Sequence, residues 1–170
     1  MKVVFLDIDG VLNSHAFVES IPQAERPSII GLDREAIRRL NRLVHQTGAS
    51  VVVSSTWRLN RNRQQLQRVL DEHGFQGRVI GRTPRWIAGR PVAGDARGFE
   101  IQAWLDAAAD YGIDVDTFVI LDDDSDMGHL ADRLVKTTFA EGLRDEHVDT
   151  AIAMLRAPMP VIVLAGTGAP

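Results

Sequence analysis

The stretch Lys2–Asn13 (KVVFLDIDGVLN) constrains the fold more than any other. Val3, Val4, Phe5 and Leu6 form a continuous apolar run that stops abruptly at Asp7. Such a run, bounded by polar and turn residues, reads as a strand buried on both faces. Two carboxylates follow, Asp7 and Asp9, with Gly10 behind them. A buried charge without a partner is costly, so a pair at a strand end needs a reason. In open α/β sheets, ligands sit at the carboxyl ends of the strands. An Asp there serves as nucleophile, as metal ligand, or as both. Asp9 is placed to aim its side chain at a leaving group, and Gly10 lets the backbone turn away. A strand followed by an Asp/Gly turn would read the same way in isolation, so the rest of the chain decides.

At 170 residues, one domain with a sizeable core is expected. The net charge of −4 provides no global field for nucleic acid. Local basic clusters remain: Arg58, Arg61, Arg63 and Arg68, then Arg78, Arg82, Arg85, Arg90 and Arg97. The absence of cysteine excludes disulfides, thiolate catalysis and cysteine-ligated zinc. No apolar stretch reaches membrane-spanning length. The early Asp7 does not fit a signal peptide, so a soluble, cytoplasmic protein without membrane partners is the expectation.

After Asn13, an irregular stretch runs to about Gly31, long enough to act as a flap over a site, with His15 and Arg26 as candidate substrate contacts. Leu32–Thr47 reads as a helix: its apolar residues keep helical spacing and Gly48 is a natural stop. Ala49–Val53 is a second buried strand, ending in Ser54, Ser55, Thr56, Trp57, Arg58. A hydroxyl there either donates to a phosphate oxygen or caps the next helix. Asn60–His73 reads as a helix, Val79–Ile80 as a short strand, and Arg82 to Gly98 as a loop on which Trp86 and Ile87 dock. Gly98–Tyr111 is a third helix, with Arg97 just ahead of it.

Thr117–Leu121 is another buried strand and runs straight into Asp122, Asp123, Asp124, Ser125, Asp126. These carboxylates repel one another unless a cation or hydrogen bonds offset them. Asp124 and Asp126 suit a solvated, capping turn, whereas Asp122 follows an apolar run as Asp7 does. Leu134–Thr138 reads as a last strand and Leu143–Leu155 as a last helix. Residues 1–157 are taken as one domain, and 158–170 as a tail that adds a strand, docks on a neighbour or stays disordered.

Strands alternating with helices predict an α/β fold, a doubly wound, Rossmann-like parallel sheet flanked by helices. One rim of that sheet would carry Asp7, Asp9, Ser54 and the Asp122 cluster, with Arg97 nearby. Hard oxygen ligands suit Mg²⁺, and a cation beside a hydroxyl suits a phosphoryl group.

In this order the residues resemble the haloacid dehalogenase (HAD) superfamily of phosphohydrolases. Its first motif, DxDG, is seen as Asp7-Ile8-Asp9-Gly10; its second, a Ser or Thr after an apolar strand, as Ser54. Its third, a Lys or Arg at a helix start, is best matched by Arg97. Its fourth, an acidic pair ending a strand, matches Asp122 with Asp123, or Asp122 with Asp126. The segments VFLDIDGVLNS, VVVSSTWR, RGFEIQAWL, FVILDDDSDM and LVKTTFAEGL are similar to HAD domains of Swiss Army Knife RNA repair proteins. The resemblance spans roughly residues 1–155.

It implies Asp7 as nucleophile, forming an aspartyl-phosphate, and Asp9 as general acid and then base. Ser54 would bind the phosphoryl group and Arg97 would steady it together with Asp7. Mg²⁺ would be held by Asp7, the carbonyl of Asp9, and Asp122 or Asp123. Arg97 stands where Lys is commoner; its fork keeps the charge and changes the geometry. Ser55 and Arg58, in the same loop, are further candidates for substrate binding.

The intervals between motifs leave no room for a large cap domain. By family analogy, an open site suits a macromolecular substrate, or a homo-oligomer that closes the site with a neighbour. The rim arginines, with Trp57 and Trp86, would suit a nucleic-acid end. The competing expectations are a phosphatase of a small metabolite or phosphoprotein, a receiver-like module phosphorylated without turnover, and a silent interaction domain. DxDG on the first strand argues against the receiver, and intact Asp7 and Asp9 against the silent domain.

Overall fold

The computed structural model describes residues 1–24, 31–85 and 96–157. Five parallel strands form one sheet: β1 (Lys2–Leu6), β2 (Ser50–Val53), β3 (Val79–Arg82), β4 (Thr117–Asp122) and β5 (Leu134–Lys136). Their spatial order is β3-β2-β1-β4-β5. The chain winds outward from β1 to β3, then crosses back to β4 on the other side of β1. That reversal puts a topological switch point beside β1, where the ends of such strands diverge and leave a crevice.

The apolar runs are buried because both faces are covered. Val4, Leu6, Val51, Val53, Val119 and Leu121 enter one core, while Val3, Phe5, Val52, Phe118 and Ile120 enter the other. Alternating residues therefore leave no polar face, as expected of strands sandwiched between helices. Helices α2 (Arg34–Thr47), α3 (Arg63–Glu72) and α5 (Asp145–Arg156) contribute to the first core, and α4 (Ala96–Asp110) to the second. Helix α2 shows the local logic. Asp33 Oδ1 accepts the Glu35 N–H at 2.8 Å, Ile37, Leu40 and Leu43 face inward, and Gly48 closes the helix at φ +70°. Each such fully buried side chain contributes about 1.5–3 kcal/mol.

The sheet, its parallel strands and its two helical layers match the doubly wound expectation. Several boundaries differ. The stretch after Asn13 contains a short helix, α1 (His15–Ser20), because Ser14 Oγ accepts the Phe17 N–H at 3.2 Å and nucleates a turn. The helix expected from Asn60 begins at Arg63, where Asn62 and Gln65 form a capping box. Two 3-10 turns, Thr56–Leu59 and Gly128–Arg133, were not anticipated. Strand β4 runs one residue further than expected, through Asp122. Helix α4 starts two residues before Gly98, which puts Arg97 in its first turn. Among the described residues the inter-strand segments hold no cap domain. Arg26, Trp86, Ile87, Arg90 and the tail 158–170 lie outside the described residues.

Candidate active site

Parallel pairing extends past β1: the Asp7 N–H donates to Leu121 O at 2.9 Å and the Ser54 N–H to Leu6 O at 2.8 Å. These bonds bring the ends of β1, β2 and β4 level, so that Asp7, Ser54 and Asp122 sit side by side. All three are buried, Asp7 at 6% exposure and the other two at 0%. Oxygens of Asp7, Asp122 and Asp123 lie within 4.8 Å of one another. That donor set, all hard carboxylate oxygen, fits a Mg²⁺-sized cation.

The charges show what a cation would offset there. Burial, followed by the Asp7 charge, pushes the Asp122 carboxyl up to about 7 despite Arg97. Burial likewise raises Asp7, against the lowering pull of Arg97, the Ser55 hydroxyl and the Ile8 N–H. Asp123 is raised chiefly by burial. Three carboxylates driven toward protonation in one place form a site strained against itself, and positive charge relieves it. Asp122 Oδ2 is buried without a hydrogen-bond partner among the described residues. Arg97 Nε lies 3.4 Å from it, within ion-pair range but off hydrogen-bond geometry.

Among the described residues, Arg97 is the cation that forms ion pairs with this cluster. Its Nη2 approaches Asp7 Oδ2 at 3.4 Å and its Nη1 donates to the Ser54 carbonyl. Burial opposes its charge, but Asp7, Asp122 and Asp126 outweigh that and raise its pKa. The first turn of α4 is aimed by Asp126, whose Oδ2 accepts the Arg97 N–H and whose carbonyl accepts the Gly98 N–H, both at 3.1 Å. Gly98 makes this approach possible: a Cβ there would stand 2.1 Å from Met127 O. Between the two candidates for the second acid of the fourth motif, geometry therefore separates the roles. Asp126 holds α4, and Asp123 joins the oxygen cluster.

The turn after β1 is equally crowded. Gly10 has φ +74°, and a Cβ on it would meet Asp123 Cγ at 2.3 Å. Thr137 braces the turn from β5, donating Oγ1–H to Gly10 O at 2.7 Å while its N–H donates to Asp122 O at 2.9 Å. The Asp9 carboxylate is half-buried; Asn13 Nδ2 donates to its Oδ1 at 2.7 Å. The Trp57 indole N–H donates to both oxygens, 3.0 Å to Oδ2 and 3.2 Å to Oδ1.

The two serines divide the alternatives the sequence left open. Ser55 Oγ caps the 3-10 turn by accepting the Trp57 N–H at 3.4 Å, and its hydroxyl also bears on Asp7. Ser54 Oγ is fully buried and has no partner among the described residues. Arg58 is placed otherwise than a substrate contact in an open loop. It is 4% exposed and pairs with Glu100, and it donates to the carbonyls of Thr83 at 3.1 Å and Ser55 at 2.7 Å. Its fork is spent on the protein because four nearby carbonyl or carboxylate acceptors converge on it, the Pro84 carbonyl at 3.4 Å among them. His15 is exposed on α1, 3.7 Å from Glu19. Asn13, Thr137 and Glu100 were not read from the sequence as site or support residues, and Trp57 was read as an aromatic for a nucleic-acid end rather than as a partner of Asp9. Asn13 carried a signal in its spacing of four from Asp9; the others become neighbours only through the sheet.

Beside Arg97 a cavity of about 300 Å³ is lined by Thr56, Arg58, Leu59, Arg85, Ala96, Arg97, Glu100 and Asp126. Among the described residues no helix is long and apolar enough to cross a membrane. No curated protein and no solved structure matches the chain. The profile of the HAD domain in Swiss Army Knife RNA repair proteins does match, over residues 3–148. Those residues hold every acidic, hydroxyl and cationic group described above, and the chain belongs to this family of HAD domains.

Proposed function

We propose that the chain is a Mg²⁺-dependent phosphatase that hydrolyses phosphomonoesters through an aspartyl-phosphate on Asp7. Family membership supports phosphohydrolase-type chemistry. The observation that carries the reading is the convergence of Asp7, Asp122 and Asp123 oxygens within 4.8 Å beside Arg97 and Ser54 Oγ, which has no hydrogen-bond partner among the described residues. Asp7 attacks phosphorus as its P–O bond to the leaving group breaks, and Asp9 gives the leaving oxygen its proton. Asp9 then takes a proton from water, whose oxygen attacks the phosphorus of the aspartyl-phosphate and releases phosphate and free Asp7. Ser54 Oγ–H and the Arg97 guanidinium bind the transferring oxygens. Asp7, Asp122 and Asp123, with the Asp9 carbonyl, would hold Mg²⁺, which when bound would screen the repulsion between carboxylate and phosphate. Arg97 donates to the backbone of Ser54 and approaches Asp7, so one side chain ties the nucleophile to the phosphate-binding strand end.

The favoured substrate class is a nucleic-acid end phosphate. The matched family's description, RNA repair, supports it. So does the cavity beside Arg97, where Arg85 adds a second cation to a wall shared with Glu100 and Asp126. The chemistry is tested by para-nitrophenyl phosphate hydrolysis with and without Mg²⁺ on wild type and Asp7→Asn. The substitution keeps the shape and removes the nucleophilic charge. Metal-dependent turnover is expected in wild type and is lost in the variant; turnover persisting in Asp7→Asn overturns the mechanism. Phosphate release from end-phosphorylated oligonucleotides, set against a panel of small phosphomonoesters, tests the substrate class. A higher kcat/KM on a small metabolite would retire the nucleic-acid reading and leave the chemistry standing.

A further inference from the structure

We infer that Trp57 is a positioning residue for Asp9: its indole N–H fixes the carboxylate that handles the proton in both half-reactions. The inference rests on the aspartyl-phosphate reading and adds to it a residue that reading does not need. An indole N–H can only donate, so its place against two carboxylate oxygens at 3.0 and 3.2 Å has one chemical meaning. A bond to a charged acceptor is among the stronger kinds.

The donor is itself held. The Trp57 backbone N–H is bound by the Ser55 cap at 3.4 Å, and its ring packs on the core under α2 and α3. The next residue, Arg58, is pinned by Glu100 and two backbone carbonyls. The Arg61 guanidinium lies 4.9 Å from the ring centroid, which anchors the exposed side by cation–π attraction. Asn13 also touches Asp9, but it belongs to the same turn and moves with it. Trp57 comes from the end of β2, whose register with β1 pairs Leu6 with Val53. The orientation of the acid on β1 is thereby referred to the same strand end that carries Ser54. A proton donor and a phosphate-binding hydroxyl held to one frame keep the two ends of the breaking P–O bond aligned, and misplacement by about 1 Å costs on the order of 100-fold.

Trp57→Phe keeps an aromatic ring and removes the N–H. The reading is kcat/KM, which reports steps up to formation of the aspartyl-phosphate, on two substrates differing in leaving group. An alkyl phosphate needs a proton on its departing oxygen; 2,4-dinitrophenyl phosphate departs without one. The expected result is a fall of about tenfold or more on the alkyl phosphate and under about threefold on the dinitrophenyl ester. Equal falls on both substrates would mean that the residue only supports the fold, and no fall on either would mean an idle contact; both overturn the inference. Cooperative thermal unfolding of the variant checks that the fold survives. Should it not survive, the contact is read instead in Asp9→Ala by the ¹H–¹⁵N spectrum of the indole groups. One indole N–H resonance is expected to move upfield relative to wild type, and no movement overturns the contact. Turnover that persists in Asp7→Asn would instead bring down the aspartyl-phosphate reading itself, a different and distinguishable failure.

Discussion

Ser54 carries a hydroxyl that is buried and bonded to nothing among the described residues. A buried donor left unmade costs about 1–3 kcal/mol, so a fold has no reason of its own to keep it. The oxygen is useful only when something else arrives to accept from it. Ser54→Ala should therefore hold or raise the unfolding midpoint, by about 2–4 °C for each kcal/mol gained. It should at the same time lower kcat/KM about tenfold or more, since a preorganised donor to the transferring group is lost. Calorimetry and steady-state kinetics on the same preparation check both signs; a large drop in midpoint would show that the hydroxyl is structural. The neighbouring hydroxyl makes the contrast. Ser55 caps a turn and bears on Asp7, so its loss touches fold and site together. Single residues were the most legible part of this site. Asp7 and Asp122 stood out because each ends an apolar run, where a charge is costly without a purpose. Which of the two serines was orphaned could not be read, because both follow the same strand and either could cap.

At the scale of elements, α4 is the part most finely placed. Its first turn brings Arg97 to Asp7 and Asp122, and it comes close enough only because Gly98 has no side chain. The atom that a Cβ would strike is a backbone carbonyl, Met127 O at 2.1 Å, which cannot rotate aside. Gly98→Ala should push the helix start away from the acidic loop. Overpacking of this kind costs about 1–3 kcal/mol, and chemical denaturation should report it with an unchanged m-value. Activity should fall with the displacement of Arg97 even below the midpoint of unfolding. The long helices and central strands were readable from periodicity, since their burial is decided by their own pattern. Helix α1 and the two 3-10 turns were not: each is a few residues long and is held by caps or by packing rather than by an apolar stripe. The same reason explains why Arg58 was read as open to substrate. Its true partner, Glu100, is 42 residues away and meets it only after α4 has crossed to the far side of the sheet.

Over the whole molecule, the sheet order brings acidic strand ends together at the switch point, and the fold carries a cost for that. Burial and the Asp7 charge raise Asp122 from 3.8 to about 7, so the native protein holds a proton that the unfolded chain has already released across that window. Stability contributed this way is present at low pH and is lost as pH rises toward 7. Asp7 and Asp123 are raised in the same direction and add to it. Glu35 and Asp145 are lowered instead, by their arginine partners, and their effect falls below the window. The unfolding midpoint of metal-stripped protein should thus decline between about pH 4.5 and pH 7, and Asp122→Asn should flatten the decline. Mg²⁺ should raise the midpoint more at pH 7.5 than at pH 5, because the cation and the protons compete for the same oxygens. Equal stabilisation at both values would place the cation elsewhere.

The sequence by itself determined the strand–helix alternation, the parallel sheet and the chemical kinds at its rim. These come from apolar periodicity and from the cost of ending a buried strand in a charge, both local properties. Only the tertiary structure decided which of those groups act on one another. It paired Arg58 with Glu100, assigned Asp126 to α4 and Asp123 to the oxygen cluster, left the Ser54 hydroxyl without a partner among the described residues, and set Trp57 on Asp9. Such pairings depend on the register and order of strands far apart in the chain. Burial there turns small differences in position into large differences in hydrogen bonding and charge.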